Sequence, residues 1–263
     1  MNGYLAVLKI RVKVLLQYRA AAFAGIITQA FWGLLNVMIF KAFFSQSAGP
    51  EPITLAQTIT FVWLGQALLQ VLPWTVDREL EAQVKNGHVA YELIRPLDLY
   101  RLWYVRAFAM RLIPTLMRCF PIFICGGLFF GLAAPISWQA GGIFCLSVCF
   151  ALFLSAAIIT LVIVSLFWTV SGDGIQRLLP HIVTFFSGMI VPLPLFPAWA
   201  QPFLNWQPFR GVMDIPCRLY TGVIPVAEAP HYLLFQLAWT ACFILLGKTL
   251  MHRALKQFVI QGG

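Results

Sequence analysis

Two arginines beside apolar sequence are the side chains best placed to do chemistry in this chain. Arg111 and Arg118 are seven residues apart, so a helix would carry both on one face. A guanidinium next to hydrocarbon must meet a cavity, a partner or lipid headgroups. Arg118 is therefore a candidate contact for an anionic substrate, or part of a gate. The alternative, which its shallow position in the apolar run favours, is that it extends into the nearest headgroup layer.

Groups for catalysis or metal binding form no recognisable arrangement. Gly247-Lys248-Thr249 resembles the end of a phosphate-binding Walker A loop, but Cys242 occupies the place of the leading glycine. The four histidines have no metal-ligand spacing, and no paired aspartates lie in the apolar stretches. The sequence therefore predicts no enzyme, no catalytic residue, no metal site and no cofactor on this chain.

The elements that must hold the arginines are transmembrane helices. The composition is 60% hydrophobic and 10% charged, against about 25% charged in soluble domains. Five long stretches contain no charged residue, and each can form a helix that crosses roughly 30 Å of hydrocarbon. The third, between Arg118 and Asp173, is long enough for two crossings. The sequence predicts an all-α integral membrane protein with about six spans. They lie near residues 21–43, 53–74, 112–133, 138–164, from 178 onward, and 232–251.

The distribution of basic residues predicts the orientation of these spans. The net charge is +9, and most lysines and arginines lie before the first span, between the second and third, or after the last. This asymmetry follows the positive-inside rule if both termini are cytoplasmic. Topology and anionic membrane lipid explain the basic excess, so no nucleic-acid partner is expected. We expect a multi-pass protein of a plasma membrane or a bacterial inner membrane.

The sequence predicts one transmembrane domain, residues 1–263. Three of its segments outside the predicted spans have distinct compositions. Residues 1–20 mix apolar and basic positions, which predicts a helix lying along the cytoplasmic interface. Residues 77–106 contain the longest charged stretch, which is large enough to dock another protein. Residues 191–222 are apolar but rich in proline, which predicts short broken or re-entrant helices at the outer interface.

Two of these segments resemble a known family, the ABC-2 type exporter permeases. The stretch GHVAYELIRPLDLYRLW (87–103) is similar to the family's segment between the second and third spans. VPLPLFPAWAQPFLNWQPFRGVMDIPCRLYTG (191–222) is similar to its outer segment after the fifth span. With the order of the spans, the resemblance covers nearly the whole chain. It is strongest to the branch with paired small permeases and a separate daunorubicin-resistance-type ATPase.

The resemblance implies a permease subunit that works with partner chains. Such permeases form a homodimer, or a heterodimer with a sibling permease, and they bind two copies of an ABC ATPase that holds Mg-ATP. They export amphiphilic, lipid-linked or drug-like molecules. In the family a short cytoplasmic helix contacts the ATPase, and the matching residues here are Tyr91, Glu92, Leu93, Ile94, Arg95 and Pro96. Leu93 and Ile94 are expected to supply apolar contact, and Glu92 and Arg95 charge pairing.

The resemblance also implies a route for the substrate. The proline-rich segment caps the family's pathway, and the matching outer-gate residues are Pro192, Pro194, Pro197, Trp199, Pro208 and Phe209. The pathway follows the second and fifth spans, and the polar residues of these spans are Gln66, Gln70, Thr184 and Ser187. Arg118 is a further candidate path residue because it lies in the first third of the third span. The alternatives are a secondary transporter or channel without an ATPase, and a membrane scaffold. The spans contain no carboxylate, which weighs against proton coupling.

Overall fold

The computed structural model describes residues 3–17, 19–46, 49, 51–169 and 173–257, and this part of the chain is all-α. It forms eleven α-helices joined by short 3-10 turns and loops. The helices are α1 (Gly3–Gln17), α2 (Arg19–Gln46), α3 (Leu55–Ala67), α4 (Arg78–Lys85), α5 (Val89–Leu93), α6 (Leu99–Phe129), α7 (Trp138–Ser165), α8 (Asp173–Phe186), α9 (Gln201–Trp206), α10 (Asp214–Tyr220) and α11 (Ala229–Gln257).

Four stretches are helical, long and apolar enough to cross a membrane. They are Ala24–Gln46 in α2, Leu99–Phe129 in α6, Trp138–Ser165 in α7 and Val226–Lys256 around α11. The helices at the predicted second and fifth spans are shorter, with 13 residues in α3 and 14 in α8. A helix of that length covers about 20 Å, which is less than the hydrocarbon core of a bilayer. Six spans therefore remain a prediction.

Local chemistry explains why α3 is short. Thr54 and Gln57 form a reciprocal capping box at its start. At its other end a 3-10 turn, Leu69–Val71, follows, and Leu72 is extended, as a residue that precedes proline prefers. The predicted second span at 53–74 is thus a helix, a tighter turn and an extended end.

The third predicted span differs in its starting point. The sequence predicted a charged segment over 77–106, followed by a span from 112. Instead α5 ends at Leu93, and α6 runs without a break from Leu99 through Phe129. Asp98 accepts a hydrogen bond from the Arg101 N–H at 2.7 Å and so caps α6. The charged segment 77–106 therefore ends inside a membrane-length helix.

The central helix is α7. Within an apolar 18-residue stretch of α7, 72% of the residues are buried, compared with 17–22% in the corresponding stretches of the other three long helices. It contacts α6, α10 and α11. At the end of α6, Trp63 of α3 stacks on Phe130 with 4.9 Å between ring centroids and donates a hydrogen bond to its carbonyl at 3.1 Å. These contacts hold α3 against the end of α6.

The N-terminal helix α1 packs on the start of α6. The Asp98 N–H donates a hydrogen bond to the Tyr4 hydroxyl oxygen at 2.8 Å, and Leu97 lies against Gly3. Residues 1, 2 and 18 of the predicted interfacial helix lie outside the described residues, and its position at the membrane surface stays a prediction. Farther along, a Cβ on Gly247 would lie 2.6 Å from the Tyr100 ring, so this glycine allows α11 to approach α6.

Candidate functional site

A cavity of about 590 Å³ lies between α2, the end of α3, α6 and the end of α8. Five of its lining residues lie on α2, from Gly25 to Asn36. Three of the predicted path residues also line it, namely Gln66, Arg118 and Thr184. The fold therefore brings together polar residues that are up to 118 positions apart in the sequence.

The remaining predicted path residues have other surroundings. Ser187 is fully buried, and its hydroxyl donates a hydrogen bond to the Thr184 carbonyl at 3.2 Å. Gln70 is half-buried and is not one of the residues that line the cavity. The Thr184 hydroxyl donates to the carbonyl of Pro180, one turn earlier in α8, at 2.6 Å. The hydroxyls of α8 are thus already satisfied by their own helix.

The Arg118 guanidinium lies directly over Gly25 of α2. A Cβ at position 25 would be 2.5 Å from Cζ of Arg118 and 2.7 Å from each of its terminal nitrogens. Gly25 lies six residues after Arg19, the charged residue at which α2 begins, so the guanidinium lies beside the first part of α2. It contacts a cavity, which is one of the surroundings expected from the sequence, and its depth in the membrane stays a prediction.

Polar atoms in this part of the cavity have no partner within the described residues. Arg118 Nε is buried without a hydrogen bond, and both amide atoms of Gln29 are buried and unpaired. Gln29 is 2% exposed and lies one helical turn after Gly25, on the same face of α2. Sequence analysis missed Gln29, although Gln29, Trp32 and Asn36 share a helix face at spacings of three, four and seven residues.

The charged segment 77–106 is organised by one buried arginine. Arg106 of α6 donates from Nε and Nη2 to Asp77 Oδ2, at 3.0 and 2.7 Å, and from Nη2 to Glu79 Oε2 at 2.7 Å. Asp77 uses its other oxygen to cap α4, accepting from the Glu79 N–H at 3.0 Å. We call the residues Arg11, Asp77, Glu79, Glu92 and Arg106 the Arg106 cluster.

Glu92 belongs to this cluster and not to the surface of the segment. It is 6% exposed, accepts a hydrogen bond from Trp103 Nε1 at 2.8 Å, and places Oε1 3.6 Å from Arg106 Nη1. The sequence had suggested that Glu92 pairs with a charge on another chain. Its side chain instead holds α5 against α6.

The opposite side of α5 and the residues after it form an exposed surface. Tyr91 is 71% exposed and Ile94 80% exposed, and Leu93, Arg95 and Pro96 are exposed as well. We call these five residues the α5 tip. The predicted coupling residues therefore divide into an anchored glutamate and an outward-facing set that is largely apolar.

Arg11 connects the N-terminal helix to the cluster. Its Nη2 donates to Glu79 Oε2 at 2.6 Å, the same oxygen that Arg106 contacts. The hydrogen bond from Arg11 is the main reason that the pKa of Glu79 is lowered, and Arg106 lowers it further. Helices α1, α4, α5 and α6 thus meet at one set of charges.

The proline-rich segment 191–222 is a series of short helices. Two glutamine side chains donate hydrogen bonds to backbone carbonyls in and next to this segment. Gln201 Nε2 donates to the carbonyls of Leu193 and Phe196, and Gln207 Nε2 donates to those of Phe186 and Leu204. The predicted gate residues differ in exposure within this segment. Pro192 is buried, Pro194, Pro208 and Phe209 are half-buried, and Pro197 and Trp199 are exposed.

A buried acid in α10 adds an ionic contact to this segment. Asp214 is fully buried, with Oδ2 3.7 Å from Arg210 Nη2 and 3.4 Å from Arg218 Nη1. Arg210 also donates from Nη1 to the Asn205 carbonyl at 2.7 Å. Because removing water from an unpaired carboxylate is costly, the two arginines make its burial possible.

Comparison with known families decides between the classes of membrane protein that this architecture allows. Residues 30–262 match the family described as ABC-2 family transporter protein. This chain belongs to that family. It is therefore the membrane component of an ABC-2 transporter, a multi-pass permease without a catalytic ATPase domain. No curated protein matches the chain.

Membership gives the Arg106 cluster and the cavity a functional setting. Permeases of the ABC-2 family generally work with an ABC ATPase. Within the described residues, no group of three or more histidine, cysteine, aspartate or glutamate side chains could hold a metal ion. The Arg106 cluster with the α5 tip, and the cavity beside α2, are therefore the two regions from which a function is proposed below.

Proposed function

We propose that this ABC-2 permease exports an amphiphilic, lipid-linked or drug-like molecule with energy from a separate ABC ATPase. Two ATPase copies act on a pair of permeases, either two copies of this chain or this chain and a sibling. Both termini are cytoplasmic, and α3 and α8 with their flanking turns complete six crossings. The positive-inside distribution and the four membrane-length helices support this topology.

The proposal depends on one observation: the α5 tip is exposed, whereas α5 itself is held against α6 through Glu92. The α5 tip presents Tyr91, Leu93 and Ile94 outward, whereas Glu92 is fixed by Trp103 and Arg106. A motor can move the spans only through an element that is rigid at one end and accessible at the other. The α5 tip contacts the ATPase, and α6 carries the motion into the membrane.

The outer segment forms the exit. Its short helices are tied to the end of α8 by the hydrogen bond from Gln207 Nε2 to the Phe186 carbonyl, at 2.8 Å. A shift of α8 therefore moves the segment that contains Pro192, Pro197 and Trp199. In this arrangement the cavity beside α2 lies on the route, with the proline-rich segment as its outer gate.

The test combines copurification with ATP hydrolysis. The tagged permease is isolated from its native membrane in mild detergent, its stoichiometric partners are identified by mass spectrometry, and hydrolysis is measured. We expect an ATPase with a Walker A loop, and loss of its association in the Leu93→Ser/Ile94→Ser variant. Loss of two apolar anchors weakens docking at least about tenfold, since such an anchor contributes about 2 kcal/mol.

A matched control variant separates docking from general apolar loss. Leu5→Ser/Ile10→Ser changes the same residue types at exposed positions of α1, and it should keep the ATPase. Unchanged ATPase binding in the Leu93/Ile94 variant would refute docking at the α5 tip. If the permease is purified without a partner and no ATP hydrolysis is detected in detergent or nanodiscs, the interpretation as a secondary transporter is favoured. Ion-gradient assays would then test that interpretation.

A further inference from the structure

The cavity beside α2 combines an unpaired cation with an unpaired amide in apolar surroundings. Arg118 Nε and both amide atoms of Gln29 are buried and without partners within the described residues. Among the described residues that line the cavity, none has an acidic side chain. A guanidinium in such a place needs a counter-charge, because the low dielectric of the site makes an isolated charge costly.

We propose that this cavity binds an anionic amphiphile, with its phosphate or carboxylate head at Arg118 and Gln29. As a statement about the exported molecule this rests on the proposed function, but the binding itself is a property of this chain. A guanidinium forms charge-assisted hydrogen bonds with either oxyanion. The amide N–H₂ of Gln29 donates to the same head from the neighbouring turn of α2.

Gly25 is the residue that makes the head site possible. Because a Cβ there would lie 2.5 Å from Arg118 Cζ, any other side chain displaces the guanidinium. The displaced group is the flexible end of a long side chain, so the substitution changes the site with little effect on the packing of backbones. Gly25→Ala therefore moves the positive charge without removing it.

The remaining lining of the cavity fits the apolar part of the ligand. Along α2 it continues from Gly25 past Trp32 to Asn36, a distance of about 16 Å. Met189 and Ile190 line it from the turn after α8. With the N-terminus cytoplasmic, the head lies at the depth of the cytoplasmic leaflet and the tail points toward the outer segment. A molecule that enters from that leaflet is thus already aligned with the route of export.

The test is direct binding to the purified full-length permease, without ATPase or nucleotide. Decyl phosphate, decyltrimethylammonium and inorganic phosphate are titrated in a neutral maltoside detergent, and bound ligand is counted by native mass spectrometry. We expect saturable binding of decyl phosphate alone. Arg118→Gln and Gln29→Leu should each weaken it, the arginine change by about 10- to 100-fold, the loss typical of a charge-assisted hydrogen bond.

Two further variants keep the result interpretable. Lys248→Gln removes one positive charge from an exposed position of α11 and should leave binding unchanged. Gly25→Ala keeps every charge and should still weaken binding. Equal binding of the cationic and anionic amphiphiles, or wild-type affinity in both Arg118→Gln and Gly25→Ala, would overturn the proposal.

Competition identifies the source of the anionic amphiphile. If phosphatidylglycerol displaces decyl phosphate, the site accepts a membrane lipid. If decyl phosphate remains bound in excess phosphatidylglycerol, the site is reserved for a smaller anionic cargo. Both results support an anion-binding head site. Because no motor is present in the assay, a failure here is independent of whether the permease acquires an ATPase.

Discussion

Arg106→Gln is the substitution that tests the architecture of the cytoplasmic segment most directly. The Arg106 guanidinium contacts Asp77 and Glu79 at 2.7 Å and lies 3.6 Å from Glu92. Asp77 and Glu92 are both buried. Glutamine removes the positive charge and leaves these carboxylates facing each other, with Arg11 as the cation that remains in the cluster.

The expected cost follows from the burial of the cluster. Breaking a buried ion pair by removing one partner costs about 3–5 kcal/mol, because an uncompensated charge stays in the interior. The loss falls first on α4 and α5, whose apolar residues Leu80, Val84 and Val89 pack with the C-terminal part of α7. The core around the N-terminal part of α7 contains no residue of α4 or α5. At about 1.4 kcal/mol per factor of ten, even the lower value raises the population of opened α4–α5 states roughly 100-fold.

Hydrogen–deuterium exchange of the permease in nanodiscs measures this directly. We expect peptides from residues 77–98 to lose protection in Arg106→Gln, while peptides from residues 138–155 of α7 stay as in the wild type. Glu92→Gln should have a smaller effect, because its amide oxygen can still accept from Trp103 Nε1. Arg101→Gln, an exposed change on the same helix, is the control. Unchanged exchange over residues 77–98 in Arg106→Gln would refute the reasoning.

Two further predictions concern the N-terminal helix and the turn at Gly222. Hydrogen bonding from Arg11 lowers the pKa of Glu79 from its usual value of 4.5, so this contact stabilises the fold above that pH and is lost as the pH falls through the lowered value. Protection of residues 3–17, corrected for the intrinsic pH dependence of amide exchange, should therefore fall on acidification in the wild type and be low at both pH values in Arg11→Gln. Matching pH profiles of protection in the two proteins would contradict this. Gly222 has φ 73°, and an added Cβ would lie 2.6 Å from Ile136 Cδ1. Gly222→Ala should lower stability by about 1–2 kcal/mol in thermal unfolding, whereas Gly142→Ala, whose Cβ meets open space, should not; equal melting temperatures would count against the strain.

Features that depend on neighbouring residues in the sequence were predictable. The charge-free stretches indicated apolar helices: α2 and α11 cover the first and the last of them, and the third, 119–172, contains α7 and the end of α6. Closely spaced prolines disfavour a long helix, and the chain after Phe186 does form short helices, whereas α6 continues through the isolated Pro114 and Pro121. The boundary at Leu99 was harder to place, because the cap by Asp98 is a signal of a single residue within a charged segment.

Features that depend on pairing across the chain were not predictable. Glu92 is adjacent to exposed residues in the sequence, and its burial depends on Arg106 and Trp103 of the next helix. Gln29 looked like an ordinary polar residue of a first span. It becomes important because α6 packs against α2 and places Arg118 over Gly25, and no local sequence pattern predicts that contact between the two helices.

The burial of α7 also has a consequence for how the chain is made. It is the most apolar of the four long helices and contains no charged residue, so it can partition into the bilayer without help from neighbours. The α6 and α11 helices contain arginine or lysine and pack against α7. We therefore expect α7 to insert stably during synthesis and the more polar helices to assemble around it afterwards, so that polar substitutions in α7 reduce the yield of inserted protein before they affect transport.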